Sequence, residues 1–285
     1  MKIIFSKKCL EFKIAGHPES PERLSRCFEY LSAKKFNILE PSICREEDIL
    51  LVHSNKLLEE VKGNSFFDPD TPNPDNIFEY ASLSAGAAIL ASEIAIKEGK
   101  SFSLMRPPGH HAGKDRLGGF CYFNNIAIAV ERLRLKNKKV AIIDFDCHHG
   151  NGTQDIFLGR DGVLYLSLHQ VPLYPGTGLT SERNCLNFTL APGTEEPAYL
   201  DCFQEGLKHV EEFKPQILAV SAGFDTYRRD PLGGIKLETS TYRKIGKLIA
   251  QFKKPTFAVL EGGYSKNIAV CLFEFLSGLG ISNSG

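Results

Sequence analysis

From about residue 76 onward, the chain alternates helical patterns with short, almost uninterrupted apolar runs. Ile77 to Lys97 reads as a helix and Ser101 to Met105 as a strand. Phe123 to Leu135 is helical again and leads into VAIIDF at 140–145. The order repeats with GVLYLSL at 162–168, a helix from Tyr199 to Phe213 and PQILAVS at 215–221. Thr239 to Phe252, then PTFAVL at 255–260, then a last helix near Ile268 to Leu276 complete the series. Strands that are apolar at every position are buried on both faces, and helices between them provide the crossovers of a parallel sheet. The pattern predicts an α/β fold with a central, mostly parallel sheet flanked by helices in three layers.

The first 75 residues are less regular. Ser20 before Pro21 and Glu22 marks a helix start, and DPDTPNPD (68–75) is too rich in proline for a regular element. No repeat, low-complexity tract or linker divides the sequence, so residues 1–285 read as one domain. In open parallel sheets the working residues gather beyond the carboxyl ends of the strands. Here those positions carry RPPGHHAG, DCHHGNG, HQVPLYPGTG, AGFDTYRRDPLGG and EGGYS. One site assembled from five loops is the simplest account.

Composition then removes several classes. The 285 residues include 34 basic and 34 acidic side chains, for a formal net charge of zero. Proteins that grip nucleic acid through its phosphates show a basic excess or stripe. The densest basic cluster (Arg132, Arg134, Lys136, Lys138 and Lys139) falls at a predicted helix end, where the helix dipole favours cations in any case. Direct nucleic-acid binding is not expected. No run reaches the roughly 18 apolar residues of a membrane span; Ala81 to Ile96, the longest candidate, is broken by serines, a glycine and Glu93. The apolar stretch in MKIIFSKKCLEFK is too short for a signal peptide. Eight scattered cysteines form no C-x-x-C pair and read as reduced, mostly buried thiols. The expectation is a cytoplasmic protein with no membrane partner.

The candidate chemistry starts with Asp144, Asp146 and His148 in IIDFDCHHGNG. In an extended chain alternate side chains share a face, so the three can project together from the strand end. Carboxylate and imidazole both ligate divalent metals such as zinc, and Asp225 is the leading candidate for a further ligand. The plainer alternative has these acids capping helices and pairing with arginines. It must explain several ionisable groups at the end of a hydrophobic run, where burial without a partner is costly. His110 and His111 by themselves are as readily a chance pair of loop histidines as a functional one. Beside a metal they fit two imidazoles flanking an activated water, one as general base and the other supplying charge or a proton. Tyr264 follows Gly262 and Gly263, which let the backbone approach closely, and its phenol can donate to a developing oxyanion. Phe120, after Gly119, and Tyr174 lie on loops at the same sheet end; they either wall an apolar channel or pack the core.

In order along the chain, RPPGHHAG, GGFCYFNNIAIA, DFDCHHGNGTQDIF, SLHQ, YPGTG, AGFD, DPLGG and EGGY resemble the zinc-dependent histone deacetylase family. That family includes bacterial histone-deacetylase-like and acetylpolyamine amidohydrolases. The resemblance spans HPESPERL (17–24) to EGGYS (261–265) and implies the arginase/deacetylase-like fold. It implies that Asp146, His148 and Asp225 hold Zn2+, with Fe2+ also suited to such a ligand set. His110 and His111 become the tandem catalytic histidines, with Asp144 and Asn151 as their partners and His111 as general base and acid. Tyr264 would polarise the acyl carbonyl. Phe120 and Tyr174 would line the acyl tunnel, with Gly119, Leu232, Gly262 and Gly263 beside the substrate and Asp70 gripping its backbone at the rim. Arg23 would lie deep in the internal cavity. Asp144, with the carbonyls of Asp146, His148 and Ser167, would hold a structural K+.

Three positions depart from the common pattern. Asn151 stands where one major class has aspartate, which lowers the expected pKa of His111; with DPLGG and LEGGY it is similar to the class II and bacterial branch. Tyr174 replaces a more usual phenylalanine. Leu232 occupies the place of a gatekeeping glutamate in a polyamine-selective member. The activity implied is removal of acetyl or longer acyl groups from lysine side chains of proteins or peptides. Acetylated polyamines or other small amides are the first alternative, kept open by Asp68, Asp70 and Asp75. A silent acyl-lysine-binding module is opposed by the intact set of ligands, histidines and tyrosine. An arginase-like two-manganese hydrolase is opposed by the histidine pair and GGY.

Overall fold

The computed structural model describes residues 1–280. Its strands are β1 (Lys2–Ile4), β2 (Asn37–Leu39), β3 (Lys100–Ser103), β4 (Val140–Asp144), β5 (Val163–Gln170), β6 (Cys185–Leu190), β7 (Ile217–Ala222) and β8 (Thr256–Leu260). They form one sheet in the order β2-β1-β3-β8-β7-β4-β5-β6, and every pairing is parallel. The α-helices are α1 (Pro21–Ala33), α2 (Glu46–Ile49), α3 (Asn55–Lys62), α4 (Ile77–Glu98), α5 (Asn125–Arg134), α6 (Asn151–Phe157), α7 (Glu196–Phe213), α8 (Thr239–Ala250) and α9 (Ile268–Gly278). Every residue of β4, β5, β7 and β8 is buried. That follows from helices packed in separate groups, α1 with α8 and α9, and α4 with α5.

Several expectations are corrected. β1, β2 and β6 had no sequence prediction. The first two are only three residues long, and β6 is an edge strand with a half-exposed centre. Burial patterns of that kind leave little periodic signal. β4 stops at Asp144, and the chain bends through Asp146 to His148, so these side chains do not share a pleat. α4 is long and apolar enough to cross a membrane by length and composition. It is instead a core helix, packed on β3, β8 and α5 with most of its residues buried. Small residues allow close approach along it: Ser84 donates to the Pro107 carbonyl (2.9 Å), and a Cβ at Gly86 would fall 1.9 Å from the Ser42 carbonyl oxygen.

The basic cluster is locally neutralised in part. Arg132 pairs with Asp48 and Glu93, and Arg134 with Glu131. All eight cysteines are free thiols. What places the site is the strand order. β3, β8, β7 and β4 are consecutive in the sheet, although they are far apart in the chain. Their carboxyl ends therefore bring together the loops that carry His110 and His111, Tyr264, Asp225, and Asp146 with His148.

Candidate active site

Asp146, His148 and Asp225 lie with one potential ligand atom each, all within 4.8 Å of one another. Both carboxylates are wholly buried. The Nδ1 of His148 sits 3.1 Å from Asp146 Oδ1 and 2.9 Å from Asp225 Oδ2. Backbone groups hold the outer lone pairs: the Cys147 N–H donates to Asp225 Oδ1 (2.7 Å) and the Gly262 N–H to Asp146 Oδ2 (2.8 Å). Gly262 has no room for a side chain, because a Cβ there would fall 2.3 Å from Asp225 Oδ2 and 2.6 Å from Asp146 Oδ2.

The electrostatics of this cluster call for positive charge. Burial raises the Asp225 carboxyl, and the Asp146 charge raises it further. For Asp146, burial is outweighed by His110 and His148, which keep it ionised. Burial works against charge on His148 as well, yet the two carboxylates raise its pKa to about 10. Two adjacent carboxylates and an imidazole, dry and anchored from behind, are a donor set suited to a divalent cation.

The His110 and His111 rings lie 4.0 Å apart, tilted at 49°, but face different surroundings. His110 Nδ1 lies 3.1 Å from Asp144 Oδ2. Burial disfavours its charge, but Asp146, Asp144 and Glu261 more than compensate and hold its pKa at about 10. His111 is pushed well below its usual pKa, first by burial and then by the charges of His110 and His148. Its Nδ1 lies 2.8 Å from the Asn151 carbonyl oxygen. That oxygen only accepts, so Nδ1 carries the proton and Nε2 is left as the basic nitrogen. The surroundings drive the two imidazoles in opposite directions, His110 toward its charged form and His111 toward its neutral one, the division an acid–base pair requires. Replacing Asn151 with aspartate adds a negative charge at Nδ1 and raises the His111 pKa. Because the base must be neutral, the acid limb of the kcat/KM profile should move to higher pH in Asn151→Asp, and a pH series on both proteins checks it.

These groups sit at the bottom of a cavity of about 250 Å³. Asp70, Tyr174, Leu173 and Leu232 line it together with Pro108, Gly119, Phe120, Gly262 and Tyr264. Gly119 and Phe120 both adopt left-handed backbone conformations. Gly119 is required there, since a Cβ would fall 2.5 Å from His111 Cδ2. The Phe120 ring packs edge-on to Tyr264 at 5.8 Å, and Tyr174 packs edge-on to His111 at 5.0 Å. Asp70 is exposed at the mouth; its carbonyl lies 3.3 Å from His17 Nε2, which ties the proline-rich loop down. Gly263 does not line the cavity, but its carbonyl accepts from Arg23 Nε (2.7 Å). Arg23 is buried, with its guanidinium over the Tyr264 ring.

Some supporting residues carried no role in the sequence reading. Asp230, in DPLGG, accepts the N–H groups of Tyr264 (2.6 Å) and Ser265 (2.9 Å) and so fixes the tyrosine backbone. Glu19 bridges two buried arginines, Arg106 and Arg23. Leu173 and Pro108 complete the cavity wall. Glu19 in HPESPER and Asp230 in RRDPLGG stand in polar, proline-containing stretches, where nothing local marks a carboxylate as buried.

Residues 17–278 match a family model described as "Histone deacetylase domain". The chain is 41% identical over 268 residues to a "Probable deacetylase" of Methanothermobacter thermautotrophicus, covering 87% of this chain and 81% of that protein. It is 34% identical to a "Histone deacetylase-like amidohydrolase" of Pseudomonas aeruginosa, over 93% and 78% of the two chains. A solved structure of acetylpolyamine aminohydrolase from Burkholderia pseudomallei superposes with a TM-score of 0.93 at 28% identity, covering 98% of each chain. The chain belongs to the histone deacetylase family, within its superfamily of deacetylases and acetylpolyamine amidohydrolases. Hydrolytic deacetylation of acetylated amides is the chemistry that goes with this membership.

Proposed function

We propose that the protein is a zinc-dependent deacylase that removes acetyl, or longer acyl, groups from lysine side chains of proteins or peptides. The observation that carries this reading is the cavity itself. It leads from Asp70 at the surface, between aromatic side chains, to Asp146 and His148, with His111 and Tyr264 beside them. An acyl-lysine side chain is a slender apolar stem ending in an amide, and suits a channel of that form.

Asp146, His148 and Asp225 would hold the cation, which supplies Lewis acidity toward the acyl carbonyl and acidifies water. Tyr264 is kept a neutral phenol, its pKa raised first by burial, so it can donate a hydrogen bond to the carbonyl oxygen as charge develops there. His111 accepts the proton of the attacking water at Nε2 and returns it to the departing amine. His110, held charged by Asp144, adds positive potential beside the developing oxyanion. Asp144 also pairs with Ser167 across β4 and β5. Buried oxygen donors brought together there suit the structural K+ that these residues and the carbonyls of Asp146 and His148 would bind.

A second reading, hydrolysis of acetylated polyamines, draws support from the acetylpolyamine aminohydrolase likeness and from Asp70 at the cavity mouth. The apolar Leu232 in the wall opposes it. Turnover of metal-loaded protein on acyl-lysine peptides of increasing chain length and on acetylspermidine separates the two. The lysine reading predicts higher kcat/KM on a peptide; a preference for acetylspermidine overturns it in favour of the second.

A further inference from the structure

We infer that Glu261 is a positioning residue for the tandem histidines, gripping their loop through the backbone from the end of the neighbouring strand. The inference rests on reading the site as a hydrolytic centre. Glu261 follows directly on β8 and is wholly buried. Its Oε2 accepts two successive backbone N–H groups, from Gly109 (2.8 Å) and His110 (3.2 Å). Its Oε1 accepts the Ser221 hydroxyl of β7 (3.0 Å). A wholly buried carboxylate is costly unless its lone pairs are used. Here they are spent on the peptide groups that set the direction of the first imidazole.

The rest of the geometry explains why that grip matters. Gly109 is pressed from its other side, where a Cβ would lie 2.5 Å from the Asn125 nitrogen. The histidine loop is therefore held between Glu261 and the start of α5. The next residue, Gly262, donates its N–H to Asp146 Oδ2. Two adjacent residues thus reference the histidine loop and a candidate metal ligand to the same piece of backbone. The spacing between the histidine loop and the Asp146 carboxylate is referenced there, while Glu261 itself does not line the cavity. Both peptide N–H groups would lose their acceptor if the carboxylate were withdrawn.

Two variants separate position from charge. Glu261→Gln keeps the reach and an acceptor oxygen while losing the charge, and Ser221 can rotate its hydroxyl to accept the new amide. Glu261→Asp keeps the charge but is one methylene too short. Steady-state kinetics on an acetyl-lysine peptide and acetylspermidine, with metal content and a thermal melt for each protein, provide the test. The expected kcat of Glu261→Gln is within about threefold of the parent, and that of Glu261→Asp is lower by about tenfold or more, with KM and metal content unchanged. The inference is overturned if the aspartate variant keeps full kcat, if the glutamine variant loses as much as the aspartate, or if the loss appears in KM. Should Glu261→Asp not fold, the glutamine variant decides: retained kcat supports positioning and a tenfold loss overturns it. No turnover by the parent on any substrate instead overturns the hydrolytic reading itself.

Discussion

Asp225→Asn is expected to lose both bound metal and turnover while remaining folded. The substitution preserves shape and leaves an acceptor for the Cys147 N–H, but removes one of two carboxylates that face His148 Nδ1. Lewis-acid stabilisation is worth several kcal/mol, so its loss lowers kcat/KM by ~10³-fold or more. Stability should be far less affected than turnover when metal is withheld. In the metal-free fold, the Asp225 carboxyl is raised by burial and by Asp146. A carboxyl raised on folding contributes stability below its unfolded pKa of about 4, and that stability is lost as pH rises. At neutral pH the metal-free asparagine variant is relieved of that cost but loses the carboxylate that helps raise His148, so its melting temperature should stay close to that of the metal-free parent. Added zinc should raise the melting temperature of the parent and leave the variant unmoved. Retained metal with full turnover in Asp225→Asn would exclude this residue as a ligand.

His111→Ala is expected to lower kcat by about 10²–10⁴-fold, the usual worth of a general acid–base group. Metal content should not change, because the His111 ring lies 6.0 Å from His148 and outside the ligand cluster. The His111 ring packs against Gly119 and Tyr174, so some local stability is lost, but no hydrogen bond of the sheet depends on it. The low pKa of His111 makes it neutral and ready to accept a proton at pH 7. His110, at about 10, stays charged and cannot take over that role in the variant. Single-turnover measurements on metal-loaded protein check the assignment. Near-parental kcat in His111→Ala would transfer the base to another group.

Most of the site's chemistry was legible as residue types in short motifs. The paired acids and histidines around Asp144 to His149, the tandem His110 and His111, and Tyr264 stand in stretches whose polarity contrasts with the apolar runs before them. Their pairings were harder to read. The assignment of Asp144 to His110 and Asn151 to His111 came from family resemblance, and in the structure both contacts are direct hydrogen bonds. Asp230 and Glu261 stand within the motifs DPLGG and EGGYS, which give neither of them a role. Each acts on backbone N–H groups of residues distant in the chain, and a peptide N–H has no side-chain signature to find. The interruptions in α4 have a packing reason. Serines and a glycine look like breaks in an apolar run, yet in a tightly packed core helix they are the residues that fit.

The sequence by itself determined the alternation of helices and buried strands, the loop positions that carry reactive side chains, and the identity of those side chains. These are local properties, written in the two-residue and 3.6-residue periods of strand and helix. The tertiary structure alone decided that β8 and β7 insert between β3 and β4. With that order, four loops spread over most of the chain share one sheet edge and the three candidate ligands come within 4.8 Å of one another. It also decided which histidine is driven toward charge and which toward neutrality, because burial and neighbouring charges belong to the folded arrangement. Strand order depends on how helices pack across the sheet, and no local period encodes that.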